Sequence, residues 1–356
     1  MKKISKIVVF SLSFIILLAL IYFLSRNNEV KNEILVLTFG GEFADAQRNA
    51  YFLPFQKETG ISVKEDSYNG EYGKLKATVE TNSVNWNVVD LEASALIRGI
   101  RDNILSPLDY SVIDTSGFIP RAISKYAIGT DLYSVSLGYS SKFFPDSNNA
   151  PKNWKDFWDV KKFPGSRCLK KDPKFTLEIA LLADGVQIED IYTSSGLDVD
   201  RAFKSLDKIK SYVKVWWTSG QQAIQLISDG EVTMAAAFGA RIWIAKNKDK
   251  RPVNLTWNQS ITDIEYWAIL KGSKNLDLSM KFINFATRPQ RQADFSKVFP
   301  LGPANNNAFA HLDSLYAKNL NTHPQNFSNQ LVLNAKWWAE HEEEITKRWN
   351  EWLIKK

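Results

Sequence analysis

The feature that most constrains the fold is an alternation of strand and helix patterns near the start of the chain. Glu33–Phe39 reads EILVLTF, which is typical of a buried strand, and it stops at Gly40-Gly41. A helical pattern follows over Glu42–Lys57, which Pro54 is expected to kink or shorten, and Ile61–Glu65 is the next predicted strand. This order predicts a βαβ unit with its glycine turn at the carboxyl end of a sheet, where α/β proteins bind ligands. The same glycines are also compatible with a simple tight turn.

The alternation returns in the second half of the chain. Strand patterns over Val213–Trp217, Val232–Phe238 and Val253–Trp257 are separated by helical patterns that begin at Gln221 and Arg241. A chain of 356 residues is long enough to form two hydrophobic cores. We therefore expect an α/β fold made of two lobes.

The stretch Trp257–Leu270, WNQSITDIEYWAIL, carries the most telling polar residues. Asn258–Ser260 suggests a turn, and a strand-like run follows in which Asp263 and Glu265 stand two residues apart. Residues two apart on a strand point to the same face, so both carboxylates face one side, beside aromatic residues. Unpaired charge is costly to bury, which makes this face a poor core and a good wall for a cationic ligand. The alternative is an exposed edge strand whose acids are hydrated.

The amino terminus has the pattern of an export signal or a membrane anchor. Lys2, Lys3 and Lys6 precede an 18-residue apolar run, Ile7–Leu24, and no clear cleavage site follows it. The run is longer than the apolar core of a usual signal peptide and slightly shorter than a full membrane span. We therefore interpret residues 1–28 as a signal peptide or a membrane anchor, and we favour the uncleaved anchor over the cleaved signal. The leading lysines place the body of the chain outside the cytoplasmic membrane, either periplasmic or on its extracytoplasmic face.

Charge and motifs exclude several classes of function. The chain carries a net charge of +6, but four of these charges lie in the first 28 residues, which leaves too small an excess to suggest a nucleic-acid partner. Cys168 is the only cysteine, so no intramolecular disulfide is possible. No phosphate-binding loop, dinucleotide fingerprint or nucleophile elbow is present, and only three histidines occur. We expect neither an enzyme nor a bound cofactor or metal.

Several segments together resemble one family of transport proteins. They are TFGGEFADAQRNAYFLPFQKETGISV, PKNWKDFWDVKKFPGSRCL, WWTSGQQAIQLISDGEVTMAAAFGARIWIA, DIEYWAILKGSKN and KFINFATRPQRQADFSKVFPLGPANNNA. In order and spacing they resemble the solute-binding proteins of polyamine-type (spermidine/putrescine) ABC transporters, within extracellular solute-binding protein family 1. The resemblance covers about residues 33–356.

The resemblance implies a two-lobed periplasmic binding protein of type II, the Venus-flytrap fold, with crossing strands near Ser136–Tyr139 and Asp263–Ala268. The implied boundaries are residues 29–137 and 265–305 for the first lobe and residues 138–264 and 306–356 for the second. The lobes are expected to close over a ligand.

The resemblance also implies which residues bind the ligand. Glu265 stands where the family has an amine-binding aspartate, and Asp263 stands where it has an aromatic residue. Asp172 resembles a second amine-binding aspartate, although the acid expected three residues later is Phe175. Phe238 stands where a tryptophan stacks on the ligand. The first lobe is expected to contribute Thr38, Phe39 and Gly41 from the glycine turn and Glu92 and Ser94 from a second loop.

We therefore expect an extracytoplasmic protein that captures a small cationic solute, such as putrescine or spermidine, and delivers it to ABC permease subunits. Its membrane contact is expected through the amino-terminal segment if that segment is not cleaved. Arg241 keeps an alternative open, because a cation in the cleft favours an anionic or zwitterionic solute such as an amino acid. A salt bridge on the surface also explains Arg241. A membrane-anchored sensor without a transport role is the remaining alternative.

Overall fold

The computed structural model describes residues 32–146 and 148–355, so the predicted export segment lies outside the described residues. The strands are β1 (Glu33–Thr38), β2 (Ser62–Ser67), β3 (Val88–Glu92), β4 (Leu105–Ser106), β5 (Ile123–Ser124), β6 (Ala127–Ser140), β7 (Arg167–Lys170), β8 (Tyr192–Thr193), β9 (Gly196–Leu197), β10 (Val213–Trp217), β11 (Met234–Phe238), β12 (Val253–Leu270), β13 (Gly302–Pro303) and β14 (Leu331–Val332). The α-helices are α1 (Gly41–Gln47), α2 (Leu53–Thr59), α3 (Tyr72–Glu80), α4 (Ala93–Arg101), α5 (Trp154–Trp158), α6 (Pro173–Ala183), α7 (Val199–Ile209), α8 (Gly220–Asp229), α9 (Gly239–Asn247), α10 (Leu276–Ala286), α11 (Pro289–Val298), α12 (Ser314–Ala317), α13 (Pro324–Phe327) and α14 (Ala335–Ile354).

Two groups of parallel strands form the two lobes. In the first lobe β1 lies between β2 and β3, and in the second lobe β7 lies between β10 and β11. The long antiparallel strands β6 and β12 join these groups, because β6 pairs with β11 at one end while β12 pairs with β3 at the other. The two-lobed α/β fold with two crossing strands is therefore confirmed. The exact lobe boundaries stay a prediction.

The predicted βαβ unit is present, with one correction to its helix. Gly40 and Gly41 both have positive φ, 75° and 60°, a conformation that favours glycine, and α1 begins directly at this turn. The helix predicted over Glu42–Lys57 is interrupted by a π-helical segment, Arg48–Phe52, before α2 begins. Pro54 lies in the first turn of α2, where its missing N–H is tolerated, so the proline fits without ending the helical path.

The strand that carries the two acids lies in the middle of the sheet. β12 pairs with β6 on one side and β3 on the other, so the alternative of an exposed edge strand is wrong. The polar residues Asn258–Ser260 do not form a separate turn, because they belong to β12. Gln259 has a φ of 59° and the register with β6 shifts there, which indicates a bulge rather than a chain reversal. The bulge lets one strand run through both lobes.

The strand register brings the carboxyl ends of both parallel groups to the crossing strands. Glu92, the last residue of β3, lies opposite Glu265, and Phe238, the last residue of β11, lies opposite Val135 of β6. Asp263 lies opposite Tyr133, between these two points. Ligands of open α/β sheets bind beyond the carboxyl ends of the strands, so this junction is where a site is expected.

Candidate functional site

A cavity of about 190 Å³ lies at the junction of the two lobes. It is lined by residues of the glycine turn and α1, of the crossing strands, of the carboxyl ends of β3 and β11, of the start of α9, and of the segment after α11. These are Phe39, Phe43, Glu92, Tyr133, Ser134, Phe238, Ala240, Arg241, Glu265, Phe299 and Leu301. The lining is mostly apolar, with two carboxylates and one guanidinium, which is typical of a site for a small charged solute.

Aromatic contacts fix much of the apolar lining. Phe39 stacks on Tyr68 with ring centroids 5.2 Å apart, and Phe43 meets Phe299 edge-on at 6.0 Å. On the second lobe Phe238 packs edge-on against Trp217 at 5.5 Å. Tyr133 bridges towards the second lobe, since its ring lies 6.1 Å from that of Phe238. These ring faces form apolar walls of the cavity.

The two acids of β12 are both buried, but only one lines the cavity. Asp263 is 2% exposed and accepts hydrogen bonds from the Tyr133 hydroxyl at 3.3 Å and from the Ile264 amide at 2.9 Å. Burial raises the pKa of Asp263 to about 6, although Lys174 opposes this shift. Glu265 lines the cavity, and its Oε2 atom has no hydrogen-bond donor among the described residues.

Two further buried acids lie behind Glu265. Asp90 is fully buried and accepts a hydrogen bond from Gln47 at 2.6 Å, while Asp131 accepts one from Thr130 at 2.8 Å. Burial and the charges of Asp90 and Asp131 raise the pKa of Glu265 well above its usual value, and burial raises the pKa of Asp131 to about 7. Burial and mutual repulsion therefore both favour the protonated form in this cluster, and a cation bound beside it would favour the ionised form.

Glu92, in contrast, already has a cation. The Lys174 ammonium donates to Glu92 Oε2 and lies 3.5 Å from Ser94 Oγ. Burial alone would raise the pKa of Glu92, but the Lys174 charge lowers it below the usual value. The Lys174 side chain is only 6% exposed, so this ion pair is largely shielded from water. The pair joins α6 of the second lobe to the end of β3 in the first.

Arg241 supplies the positive charge of the cavity lining. It lies in the first turn of α9 and donates to Glu42 Oε2 at 3.0 Å and to Gln221 Oε1 at 3.4 Å. Glu42 belongs to the first turn of α1, so the contact crosses the cleft. The two interpretations of Arg241 are therefore compatible, because the side chain both lines the cavity and makes a surface salt bridge.

The structure brings four of the nine predicted site residues to the cavity lining. These are Phe39, Glu92, Phe238 and Glu265. Gly41 is exposed at the start of α1, beside the lining residue Phe43. Glu92 of β3 and Glu265 of β12 are direct cross-strand partners, so their side chains leave the same face of the sheet.

The other four predicted residues lie behind the lining or beside it. Thr38 donates to Gln47 at 2.5 Å, Ser94 lies by Lys174, and Asp263 faces Tyr133. Asp172 caps α6 by accepting from the Lys174 amide, and its carboxylate pairs with Lys170 at 3.0 Å. The side chain of Asp172 is therefore satisfied within its own loop.

Sequence reasoning missed Lys174 and the acids Asp90 and Asp131. The two aspartates could have been found from the sequence, because each is a single charged residue in a strand pattern that is otherwise typical of the core. Asp90 lies in WNVVDL and Asp131 lies in TDLYSV. The position of Lys174 depends on backbone geometry that the sequence does not display. Lys174 is extended and Phe175 has a φ of 74°, which turns the lysine inwards before the regular helix starts. The lining residues Phe43, Tyr133, Ser134, Ala240, Phe299 and Leu301 were also missed.

The arrangement brings side chains of both charge signs to one cavity. Among residues 32–146 and 148–355, no group of three or more His, Cys, Asp or Glu side chains is arranged to hold a metal ion. Within the same residues no helix is long and apolar enough to cross a bilayer. The site can pair a cation with buried carboxylates and an anion with Arg241.

Residues 50–325 match the family described as bacterial extracellular solute-binding protein. The chain belongs to this family. It is 39% identical over 327 residues to the gamma-aminobutyric acid-binding protein of Pseudomonas aeruginosa, covering 90% of this chain and 91% of that relative. The protein is accordingly a substrate-binding protein of an ABC importer, and family membership supports a location outside the cytoplasm.

Two solved structures are similar over almost the whole fold. The structure of the Atu4243 GABA receptor has a TM-score of 0.83 and 37% identity, and the match covers 91% of this chain and 98% of that chain. The binding protein AgtB of A. tumefaciens R10, in complex with agropinic acid, has a TM-score of 0.79 and 33% identity, with 91% and 99% covered. Neither of these proteins, nor the Pseudomonas relative, is named for a polyamine.

Proposed function

We propose that the protein captures a small zwitterionic solute, an ω-amino acid such as gamma-aminobutyric acid (GABA), and delivers it to an ABC permease. The observation that carries this proposal is that groups of both charge signs line one cavity. Glu265 of β12 and Glu92 of β3 supply the carboxylates, and Arg241 of α9 supplies the guanidinium. A solute with an ammonium at one end and a carboxylate at the other complements both kinds of group.

The ammonium end fits beside Glu265. This carboxyl group is 8% exposed and has an oxygen without a hydrogen-bond donor, so an incoming ammonium supplies both a charge and a donor. Hydrogen bonds to ionised groups contribute more than neutral ones. Phe39 and Tyr133 add aromatic faces nearby, and a cation over such a face gains about 0.5–2 kcal/mol.

The carboxylate end fits at Arg241. Its guanidinium is planar, permanently charged and suited to two parallel hydrogen bonds with a carboxylate. It lies in the first turn of α9, where unpaired backbone amides also favour an anion. The present partner of Arg241 is Glu42, whose side chain is 59% exposed. A solute carboxylate can replace that exposed partner at little cost.

The size of the cavity and the relatives favour a short solute. Pockets for drug-sized ligands span roughly 300–1,000 Å³, and this cavity is smaller at about 190 Å³. That size suits an amino acid better than an opine. Two of the similar proteins are named for GABA. The comparisons support the amino acid alternative, and they leave the prediction of putrescine or spermidine without support.

Titration calorimetry with a matched four-carbon series tests the proposal. GABA, putrescine, butyrate and butylamine differ in the charges at their two ends and little in length. We expect GABA to bind most tightly, because only it presents one charge of each sign. Tighter binding of putrescine than of GABA would instead support the polyamine interpretation.

A further inference from the structure

Lys174 is a resident cation in a cleft that the sequence suggested would receive cationic solutes. Its ammonium lies against Glu92 and close to Ser94, and its side chain is almost completely buried. The conformation that places it there is an unusual one, since Phe175 adopts a φ of 74°. A positive φ in a bulky residue is unfavourable and is retained where surrounding contacts require it. Phe175 is itself buried, and its ring lies 5.9 Å from that of Tyr133.

Glu92 and Glu265 form a pair of acids that could hold two ammonium groups. They are direct cross-strand partners of β3 and β12, and both line the cavity. Side chains of such partners leave the same face of a sheet with their Cβ atoms about 5 Å apart. A diamine could therefore reach both carboxylates if both lacked counterions. Lys174 leaves only Glu265 available to a solute ammonium, because the Lys174 ammonium already pairs with Glu92.

We propose that Lys174 is a specificity-determining residue that occupies the position of a second ammonium and so makes the cavity select ω-amino acids against diamines. This inference rests on the proposed function and deepens it. Arg241 acts in the same direction, because its charge in the cavity lining repels an ammonium and attracts a carboxylate. Specificity then comes from a repulsive element as well as an attractive one.

The test compares the affinities of GABA and putrescine for Lys174→Met and Lys174→Gln. Both variants remove the charge, and glutamine keeps a hydrogen-bond donor for Glu92, so folding does not depend on a single substitution. We expect the ratio of the putrescine dissociation constant to the GABA dissociation constant to fall at least tenfold in both. Lys174→Arg keeps the cation and should keep the wild-type ratio. Lys171→Met is the matched control, because Lys171 is an exposed lysine three residues away.

The outcomes separate this inference from the proposed function. Wild-type protein that binds no GABA overturns the proposed function and this inference with it. Wild-type protein that binds GABA, with the ratio unchanged in folded Lys174→Met or Lys174→Gln, overturns only the role of Lys174. Circular dichroism establishes which variants are folded. A reduced affinity for both solutes with an unchanged ratio would indicate that Lys174 has only a structural role.

Discussion

The Lys174–Glu92 and Arg241–Glu42 ion pairs both connect the lobes beside the cavity, and they differ in how much water reaches them. In the Lys174–Glu92 pair the side chains are 6% and 31% exposed, whereas in the Arg241–Glu42 pair they are 25% and 59% exposed. Breaking a buried pair leaves a charge without hydration, which is costly, while an exposed pair contributes roughly 0–1 kcal/mol. We therefore expect the first pair to persist when a solute binds and the second to exchange.

The same contrast separates the two acids of the cavity lining. Glu92 has a permanent counterion, and Glu265 lies among Asp90 and Asp131 with no cation in contact within the described residues. A solute ammonium is thus drawn to the acid that lacks a partner. The Lys174–Glu92 and Arg241–Glu42 pairs therefore determine which charged groups a solute needs in order to bind.

The largest expected effect is on Glu265, the acid without a resident cation. Glu265→Gln should weaken GABA binding by about 2–5 kcal/mol, because it removes one member of a largely desolvated charge pair. That corresponds to a loss of at least about thirtyfold in affinity, measurable by titration calorimetry. The ligand-free variant should be no less stable than the wild type, since the substitution removes one acid from a crowded cluster.

Glu343→Gln is the control for this measurement. It removes the same charge from an exposed position on α14 and should leave the affinity unchanged. Wild-type affinity in Glu265→Gln would show that the solute does not contact this carboxyl group.

The contrast between Glu92 and Glu265 also shows which parts of the candidate site could be predicted from the sequence. Strand periodicity predicted that Glu265 and Asp263 face one side of β12, and the resemblance to polyamine-type binding proteins added Glu92, Phe39 and Phe238 as residues of the same site. The register between β3 and β12 then brings Glu92 and Glu265 together although 172 positions separate them in the chain. These are consequences of regular structure.

Lys174 could not be predicted in the same way. Its contact with Glu92 depends on the closeness of the two lobes and on the positive φ of Phe175, a conformation that a phenylalanine does not suggest. The resemblance to polyamine binders directed attention to Asp172, two positions earlier, whose carboxylate pairs with Lys170. The sequence therefore predicted the two acids that line the cavity, Glu92 and Glu265, but it missed the acids behind them and the cation that pairs with Glu92.

A second prediction compares the two ion pairs directly through stability. Lys174→Met should lower the free energy of unfolding of the ligand-free protein by about 3 kcal/mol, at the lower end for a buried pair because Glu92 keeps some access to water. Arg241→Met should lower it by less than about 1 kcal/mol. Urea unfolding followed by tryptophan fluorescence measures both. Equal losses in the two variants would remove the distinction between a persistent and an exchangeable pair.

A third prediction concerns pH. Burial raises the pKa of Asp263 to about 6, and an ammonium binds more strongly when nearby carboxyl groups are ionised. The affinity for GABA should therefore rise about tenfold between pH 5 and pH 7, a range in which both charges of the solute stay unchanged. Asp263→Asn should reduce this rise without abolishing it, because burial raises the pKa of Asp131 in the same cluster to about 7. A flat profile in the wild type would contradict proton release on binding.

The stability of the ligand-free protein should change with pH in the opposite direction to the affinity for GABA. Because the folded-state pKa of Asp263 is raised, the folded protein retains a proton that the unfolded chain has already lost. The contribution of this group to stability is thus present below about pH 4 and is lost as the pH rises towards 6, by up to about 1.4 kcal/mol per pH unit. Unfolding measured over this range, with and without GABA, separates the two effects.

The smallest expected effect tests whether the exposed pair competes with the solute. Glu42→Gln should release Arg241 and strengthen GABA binding by less than about 1 kcal/mol, which is at most about fivefold. Glu58→Gln is the matched control, because it breaks an exposed pair with Arg288 at 2.8 Å elsewhere on the surface. Weaker binding in Glu42→Gln would reverse the interpretation of this pair. Glu42 would then hold the lobes together around the solute, and both ion pairs would persist in the bound state.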